Sequence, residues 1–324
     1  MNYVIFDLEW NQSPNGKEQV NKELPFEIIE IGAVKLNSRF EEIGRFHEIV
    51  APKVYKELHW ATKDLIMLTM KDLKNGRSFE KVGREFLQWC EKDGEFIFCT
   101  WGNMDLVELQ RNCRFYKFDY EFKRPLIFYD IQKLYSRCFL DGKKTVSLET
   151  GVDEREIEKS IPFHSAFADA WYTSLVFKKI DFEKVKRFTS IDTFIIPQTT
   201  KEEFTINYGE YTKYISRGFA DTDEAMKYGR LLTSICPVCN KPIRKKIRWF
   251  AASHKKYYSL SFCNDHGYIK GKIRIRKTDQ GEYFGMKVMK PATDEAIASI
   301  KQRQALERQK RRNRRIKEKN LRKN

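Results

Sequence analysis

Tyr3-Val-Ile-Phe-Asp7-Leu-Glu9-Trp10 is an apolar run that ends in two acids one residue apart. Such a run predicts a buried strand. Along a strand, residues i and i+2 share a face, so Asp7 and Glu9 converge at the carboxyl end, where open α/β sheets place their ligands. Two hard anions held close together suit Mg²⁺ or Mn²⁺. The competing reading is an exposed strand end with solvated acids, and Asp-x-Glu alone does not exclude it.

Two further segments favour the metal. Glu95-Phe-Ile-Phe-Cys-Thr-Trp-Gly-Asn-Met-Asp105 reads as a buried strand, a turn at Gly102-Asn103 and a helix that continues through Leu106, Leu109 and Gln110. Asp105 falls in its first turn, where an acid also complements the helix dipole. In Pro162-Phe-His164-Ser-Ala-Phe-Ala-Asp169-Ala, a loop His precedes by five residues an Asp on a helix rich in Ala and apolar residues. A carboxylate among Phe167, Ala168, Ala170 and Val176 needs a partner, since an unpaired buried charge is costly. His164 by itself reads as a packing or capping residue.

Asp7, Glu9, Asp105, His164 and Asp169, in this order and closed by His-x4-Asp, resemble the DEDDh family of 3′ to 5′ exonucleases, to which polymerase proofreading domains are similar. Glu27-Ile-Ile-Glu-Ile-Gly-Ala-Val34 looks like the family's second strand and Phe46-His-Glu-Ile-Val-Ala-Pro52 like its third. Ile127-Phe-Tyr-Asp130-Ile-Gln-Lys-Leu134 looks like the strand and helix before the His motif. Leu68-Thr-Met70 departs from the Leu-Thr-Gly of many relatives, beside the expected site of the 3′-terminal nucleotide. The resemblance covers roughly residues 1 to 180 and implies an α/β, ribonuclease H-like mixed sheet flanked by helices. It also implies two Mg²⁺ or Mn²⁺ ions held by Asp7, Glu9 and Asp169, with Asp7 bridging and Asp105 at the second ion partly through water. Two such ions about 3.5–4 Å apart clamp both the attacking and the leaving oxygens of a phosphodiester. His164 is then the base that takes the proton of the attacking water. Trp10 and Asn11 are expected at the terminal nucleotide, with core packing the alternative for Trp10, and Leu58, His59 and Trp60 against its base.

The chain has 324 residues, 41% of them hydrophobic, enough for two domains and a tail. No stretch reaches the roughly 18 to 20 apolar residues of a membrane span, and the first acid-bearing strand starts too early to leave room for a leader peptide. A cytoplasmic protein with no membrane partner is the expectation. Seven cysteines do not read as a disulfide framework, and Cys90, Cys99, Cys113 and Cys138 lie singly in apolar elements as reduced core residues. Net charge is +16, unevenly placed. Residues 1–240 carry 35 Lys and Arg against 38 Asp and Glu, residues 241–290 carry 14 against 3, and residues 301–324 carry 12 against 2. An acidic catalytic part with strongly basic appendages suits a polyanionic substrate.

Beyond an exonuclease domain at 1–180, the pattern predicts a connector over 181–235, extended at Phe204 to Ile215 and helical near Thr222 to Leu232. Cys236-Pro-Val-Cys239 and Cys263-Asn-Asp-His266 follow, with 23 residues between the pairs. That spacing fits one structural Zn²⁺ in a small β-rich, zinc-ribbon-like domain over 236–290, with His254 as a second choice for the fourth ligand. Two unrelated surface pairs are the alternative. Alternation places Lys270, Lys272, Arg274 and Arg276 on one strand face, a stripe fit to follow a phosphate backbone, with Arg248 and the Trp249 ring nearby to assist. A solubilising face is the rival. Residues 291–324 read as a basic tail, a solvated helix or disordered segment without an apolar stripe.

These expectations combine into a metal-dependent 3′ to 5′ exonuclease that releases nucleoside monophosphates from single-stranded RNA or DNA 3′ ends, with RNA, DNA and oligomeric state left open. A non-catalytic nucleic-acid adaptor is the rival class, disfavoured because every acid is present. A proofreading partner of a polymerase is the third.

Overall fold

Strand β1 (Asn2–Asn11) carries the opening segment, followed by β2 (Glu27–Leu36), β3 (Glu42–Ile49) and the helices α1 (Trp60–Leu65), α2 (Met70–Lys74) and α3 (Phe79–Glu91). Next come β4 (Phe96–Thr100), α4 (Met104–Phe115), β5 (Ile127–Asp130), α5 (Ile131–Phe139), α6 (Leu148–Glu154), α7 (Ala166–Lys179), α8 (Phe182–Val185) and β6 (Ser190–Ile191). The computed structural model describes residues 1–16, 19–118 and 120–321. They divide into two units, Met1–Phe194 and Ile195–Asn324.

The first unit is built on one mixed sheet in the order β3-β2-β1-β4-β5-β6. β1 runs antiparallel to β2 and parallel to β4. Alternation along β1 sets the layers: Val4, Phe6 and Leu8 pack with Phe86, Leu106 and Leu109 of α3 and α4, whereas Tyr3 meets Phe177 of α7 on the other face. Asp7 and Glu9, in phase with Tyr3, therefore look toward α7. β2 is buried along its whole length because helices cover both its faces, which is why it reads as a nearly continuous apolar run. This is the mixed α/β architecture expected, a ribonuclease H-like fold.

The boundary lies beyond residue 180. β6 pairs with β5, Asp192 N donates to Leu126 O, and Tyr129 Oη donates to Lys186 O, so residues 181–194 complete the first unit.

The second unit contains β7 (Phe204–Asn207), β8 (Thr212–Ile215), α9 (Thr222–Ala225), α10 (Gly229–Leu232), β9 (Arg244–Ser253), β10 (Lys256–Cys263), β11 (Gly267–Lys277), β12 (Tyr283–Pro291) and α11 (Asp294–Leu321). Its six strands form one antiparallel sheet, β7-β8-β12-β11-β10-β9. The expected connector is thus no linker: β7 and β8 extend the sheet through β12, and Leu231 of α10 packs with Ile273 and Ile275 beneath it. The tail also departs from expectation. Ile300 of α11 is 2% exposed and, with Ile297, packs on Ile247, Phe250 and Leu260, so two isoleucines one turn apart suffice to dock the helix. From Lys301 to Ile316 its residues are mostly exposed. Among the described residues, no helix is long and apolar enough to cross a membrane.

Candidate active site

Asp7 and Glu9 stand at the carboxyl end of β1, and α7 brings Asp169 to them. One oxygen from each of the three lies within 4.8 Å of the others. The approach depends on Gly32, which pairs with Asp7 across β1 and β2. A Cβ there would lie 2.1 Å from Phe167 N, so only glycine lets the first turn of α7 rest on the sheet. Ser165 caps that helix by accepting from Ala168 N. His164 precedes the cap with a left-handed φ of 69°, uncommon for a non-glycine residue and frequent where function constrains the backbone. That turn aims its N–H at Asp169 Oδ1, 3.4 Å away, and leaves the imidazole exposed.

Asp105 arrives from the first turn of α4, 5% exposed, and its Oδ1 accepts from Leu8 N, the amide between the two β1 acids, at 3.2 Å. It stands beside the trio without joining it. All four carboxyls resist ionisation. Burial, then Asp105, Asp169, Glu9 and Glu30, hold Asp7 well above the ordinary range. Burial, then Glu30, Asp169 and Asp105, push Glu9 to about 8. Burial pushes Asp105 to about 7 despite the Leu8 amide, and Asp169 to about 6 despite His164. Hard oxygens that repel one another in a partly dry site fit divalent cations, which relieve that repulsion.

The expected nucleotide contacts fare unevenly. Trp10 lies in phase with the core-facing residues and packs there, its ring 5.7 Å from Phe26. Asn11 is completely buried, accepting from His59 N and donating to Glu57 O, so its amide holds the 55–59 segment. His59 caps α1, its Nδ1 accepting from Ala61 N and lying 3.1 Å from Gln12 Nε2. Trp60, next to it, is 70% exposed. Met70 opens α2 behind a capping box of Thr69 and Asp72. Gly32 went unread in the sequence, although a glycine inside an apolar strand is a signal for close backbone approach.

In the second unit, Cys236, Cys239, Cys263 and His266 place one donor atom each within 4.8 Å of the others. His266 Nδ1 is 3.6 Å from Cys236 Sγ and from Cys263 Sγ, and Cys239 Sγ is 3.7 Å from Cys263 Sγ. His254 sits in the β9–β10 turn, outside the cluster. Burial opposes ionisation of Cys263, yet hydrogen bonds from His266, the Asp265 and His266 amides and Cys239 outweigh it and lower the thiol to about 7. Three thiols and one imidazole are a zinc-type donor set.

Lys270, Lys272, Arg274 and Arg276 do share one face of β11, alternating with buried Ile269, Gly271, Ile273 and Ile275. Lys256 pairs beside Arg274 and Lys290 beside Lys270. Burial first, then neighbouring cations, lower Lys270, Lys272 and Arg276. Arg248 is exposed on edge strand β9, where its register against β10 shifts. Trp249 is no part of the stripe. Its ring lies against Gly271 on the opposite face, within the core that contains Ile273, and its Nε1 donates to Leu232 O. Tyr258, Phe262 and Tyr268 share the basic face, where α11 also docks, and Tyr258 has Lys272 Nζ 6.0 Å and the Arg303 guanidinium 5.1 Å from its centroid.

Carboxylates gathered at the end of a ribonuclease H-like sheet, with a histidine on the loop that delivers the last of them, define a metal-dependent nuclease. Residues 4–177 match the Exonuclease family, and the chain belongs to it as a 3′ to 5′ exonuclease. It is 30% identical over 181 residues to the probable 3′-5′ exonuclease KapD of Bacillus subtilis (strain 168), covering 56% of this chain and 85% of that one. Among solved structures it is similar to the nuclease domain of 3′hExo, a DEDDh family member bound to rAMP. That match has 18% identity over 59% of this chain and 96% of the other, with a TM-score of 0.49. It is also similar to E. coli Exonuclease I in complex with a dT13 oligonucleotide, with 13% identity over 81% and 55% of the two chains and a TM-score of 0.47.

Proposed function

We propose that this enzyme hydrolyses the last phosphodiester at the 3′ end of single-stranded RNA or DNA and releases nucleoside monophosphates. Asp7, Glu9 and Asp169 hold two Mg²⁺ or Mn²⁺ ions with help from Asp105. The observation that carries the reading is the meeting of three carboxylate oxygens within 4.8 Å, on side chains whose ionisation the protein makes costly. When bound, the ions supply the positive charge that attacking and leaving oxygens require. In the reaction, a water oxygen forms the new bond to phosphorus and the 3′ oxygen of the penultimate nucleotide leaves. His164, exposed on its loop, takes the proton that the water gives up, while Asp169 holds the His164 amide and so fixes the loop.

The Cys236, Cys239, Cys263 and His266 set holds one structural Zn²⁺, tying the turn before β9 to the turn between β10 and β11. The stripe of Lys270, Lys272, Arg274 and Arg276, with Lys256 and Lys290, binds phosphates. A reducing, cytoplasmic setting suits seven cysteines none of which is in a disulfide. The test is digestion of end-labelled RNA and DNA oligomers with Mg²⁺ or Mn²⁺, with products resolved by length. Shortening by single nucleotides from a free 3′ end, slowed by a 3′-phosphate and untouched by a 5′ block, is the expected result. A circular substrate cut as fast as a linear one would contradict it.

A further inference from the structure

Beside the three clustered acids and Asp105 stands a fifth carboxylate that the reaction just described leaves unused. Glu30 lies directly across β1 and β2 from Glu9 and is 2% exposed. Residues opposed in this way have Cβ atoms only about 4.5–5.5 Å apart, on the same sheet face. Its Oε1 is 2.7 Å from His47 Nε2, while its Oε2 is buried without a hydrogen-bond partner. A buried carboxylate oxygen facing no donor destabilises a fold unless a cation or an ordered donor meets it. Among neighbouring acids, Glu30 bears on Glu9 more strongly than any other, and its charge also reaches Asp7 and Asp169.

His47 links this acid to the helix that delivers Asp169. It stands on β3 across from Gly32, and its ring stacks on Phe167 at 5.5 Å with an interplanar angle of 29°. Phe167 is in the first turn of α7, two residues before Asp169. One imidazole therefore holds Oε1 of Glu30 and packs on α7, leaving Oε2 as the oxygen without a partner on the face it shares with Asp7 and Glu9.

We propose that Glu30, oriented by His47, is a positioning residue of the divalent-metal centre, serving the ions as an additional negative charge and hydrogen-bond acceptor from outside the ligand set. The inference rests on reading Asp7, Glu9 and Asp169 as metal ligands. Glu30→Gln separates this role from that of a buried structural acid, because glutamine keeps the size and the acceptor toward His47 but removes the charge.

The experiment titrates full-length, zinc-loaded protein with Mn²⁺ alone and follows free Mn²⁺ by electron paramagnetic resonance. Outer-sphere partners of metal ligands are worth roughly 10- to 100-fold in affinity, so Glu30→Gln is expected to weaken Mn²⁺ binding about 10-fold. His47→Phe, which keeps the stacking but loses the hydrogen bond, is expected to weaken it less, and His47→Gln to restore part of the loss. Wild-type Mn²⁺ affinity in Glu30→Gln, alongside lost binding in Asp7→Asn, would overturn the inference and leave the ligand assignment standing. Unchanged binding in Asp7→Asn as well would overturn both. Should Glu30→Gln fail to fold, His47→Phe decides, since normal Mn²⁺ affinity there is incompatible with the proposal.

Discussion

Asp7, Glu9 and Asp169 bring hard oxygens to the end of a sheet, from a strand and a helix far apart in sequence. Cys236, Cys239, Cys263 and His266 bring soft donors together from two short turns. The first set is under charge strain, with Glu9 pushed to about 8, whereas Cys263 in the second is drawn down to about 7, toward the thiolate that a zinc ligand would have to be. As the metal sites proposed above, three acids would leave coordination positions for substrate and water, whereas four donors would complete a tetrahedron and leave none. On the proposed reading, chemistry belongs to one centre and fold maintenance to the other.

The sharpest way to break this division is to remove a donor from each centre. Asp7→Ala or Asp169→Ala should lower cleavage by more than about 100-fold, the loss typical of a misplaced reacting group, with oligonucleotide binding largely kept. Single-turnover digestion beside a filter-binding assay measures both, and full activity in either variant refutes the assignment. Cys236→Ser should do the reverse. Elemental analysis should find about one Zn²⁺ per wild-type chain and almost none in the variant. Hydrogen exchange should then show residues 236–290 unprotected while β1, β2 and α7 stay protected, because structural zinc is folding free energy. Loss of protection in both units would contradict the separation.

A smaller effect distinguishes the centres by pH. Glu9, Asp105 and Asp169 bind protons more tightly folded, at about 8, 7 and 6, than unfolded, near 4. Between roughly pH 4 and 8 the native metal-free unit thus holds more protons than the unfolded chain, and the stability these groups contribute is lost as pH rises through that window. Added Mg²⁺ should raise the melting temperature of the first unit more at pH 8 than at pH 6, since protons compete for the same oxygens. Calorimetry showing an equal increment at both would weigh against these oxygens as ligands.

The smallest expected effect concerns the basic face of the second unit. Deleting residues 301–324 removes a net charge of +10 but leaves Ile297 and Ile300 docked on the sheet. Such a segment, exposed over most of Lys301 to Ile316, is expected to engage only part of its charge, on the order of 3 to 5 phosphates, so the slope of log affinity against log salt should fall by about 2 to 3.5 for a single strand. Maximal turnover should stay nearly constant. An unchanged slope would mark the segment as solubilising, and a collapse of turnover at saturating substrate would show that it helps build the active site.

Much of this was legible in the chain because the decisive signals are local. The period-two phase of Asp7 and Glu9, the His-x4-Asp spacing, the paired Cys and His motifs and the alternating stripe of β11 each follow from strand or turn geometry over a few residues. Those spacings determined that Asp7 and Glu9 share a face and which thiols could meet, whereas the joining of Asp169 to the first two acids was implied by the family resemblance that the order of the acids carries. What tertiary structure decided is which side chains remain free to act. Asn11 and Trp249 carry suitable groups, yet one is spent on Glu57 and His59 and the other on Leu232 and Gly271. The stretch over 204–215 reads as a connector until β12 supplies its pairing partner, and two isoleucines do not make a visible stripe until a sheet lies beneath them. Gly32, Glu30 and His47 acquire meaning only when α7 settles on β2, since contact between residues more than a hundred positions apart depends on packing and not on local spacing.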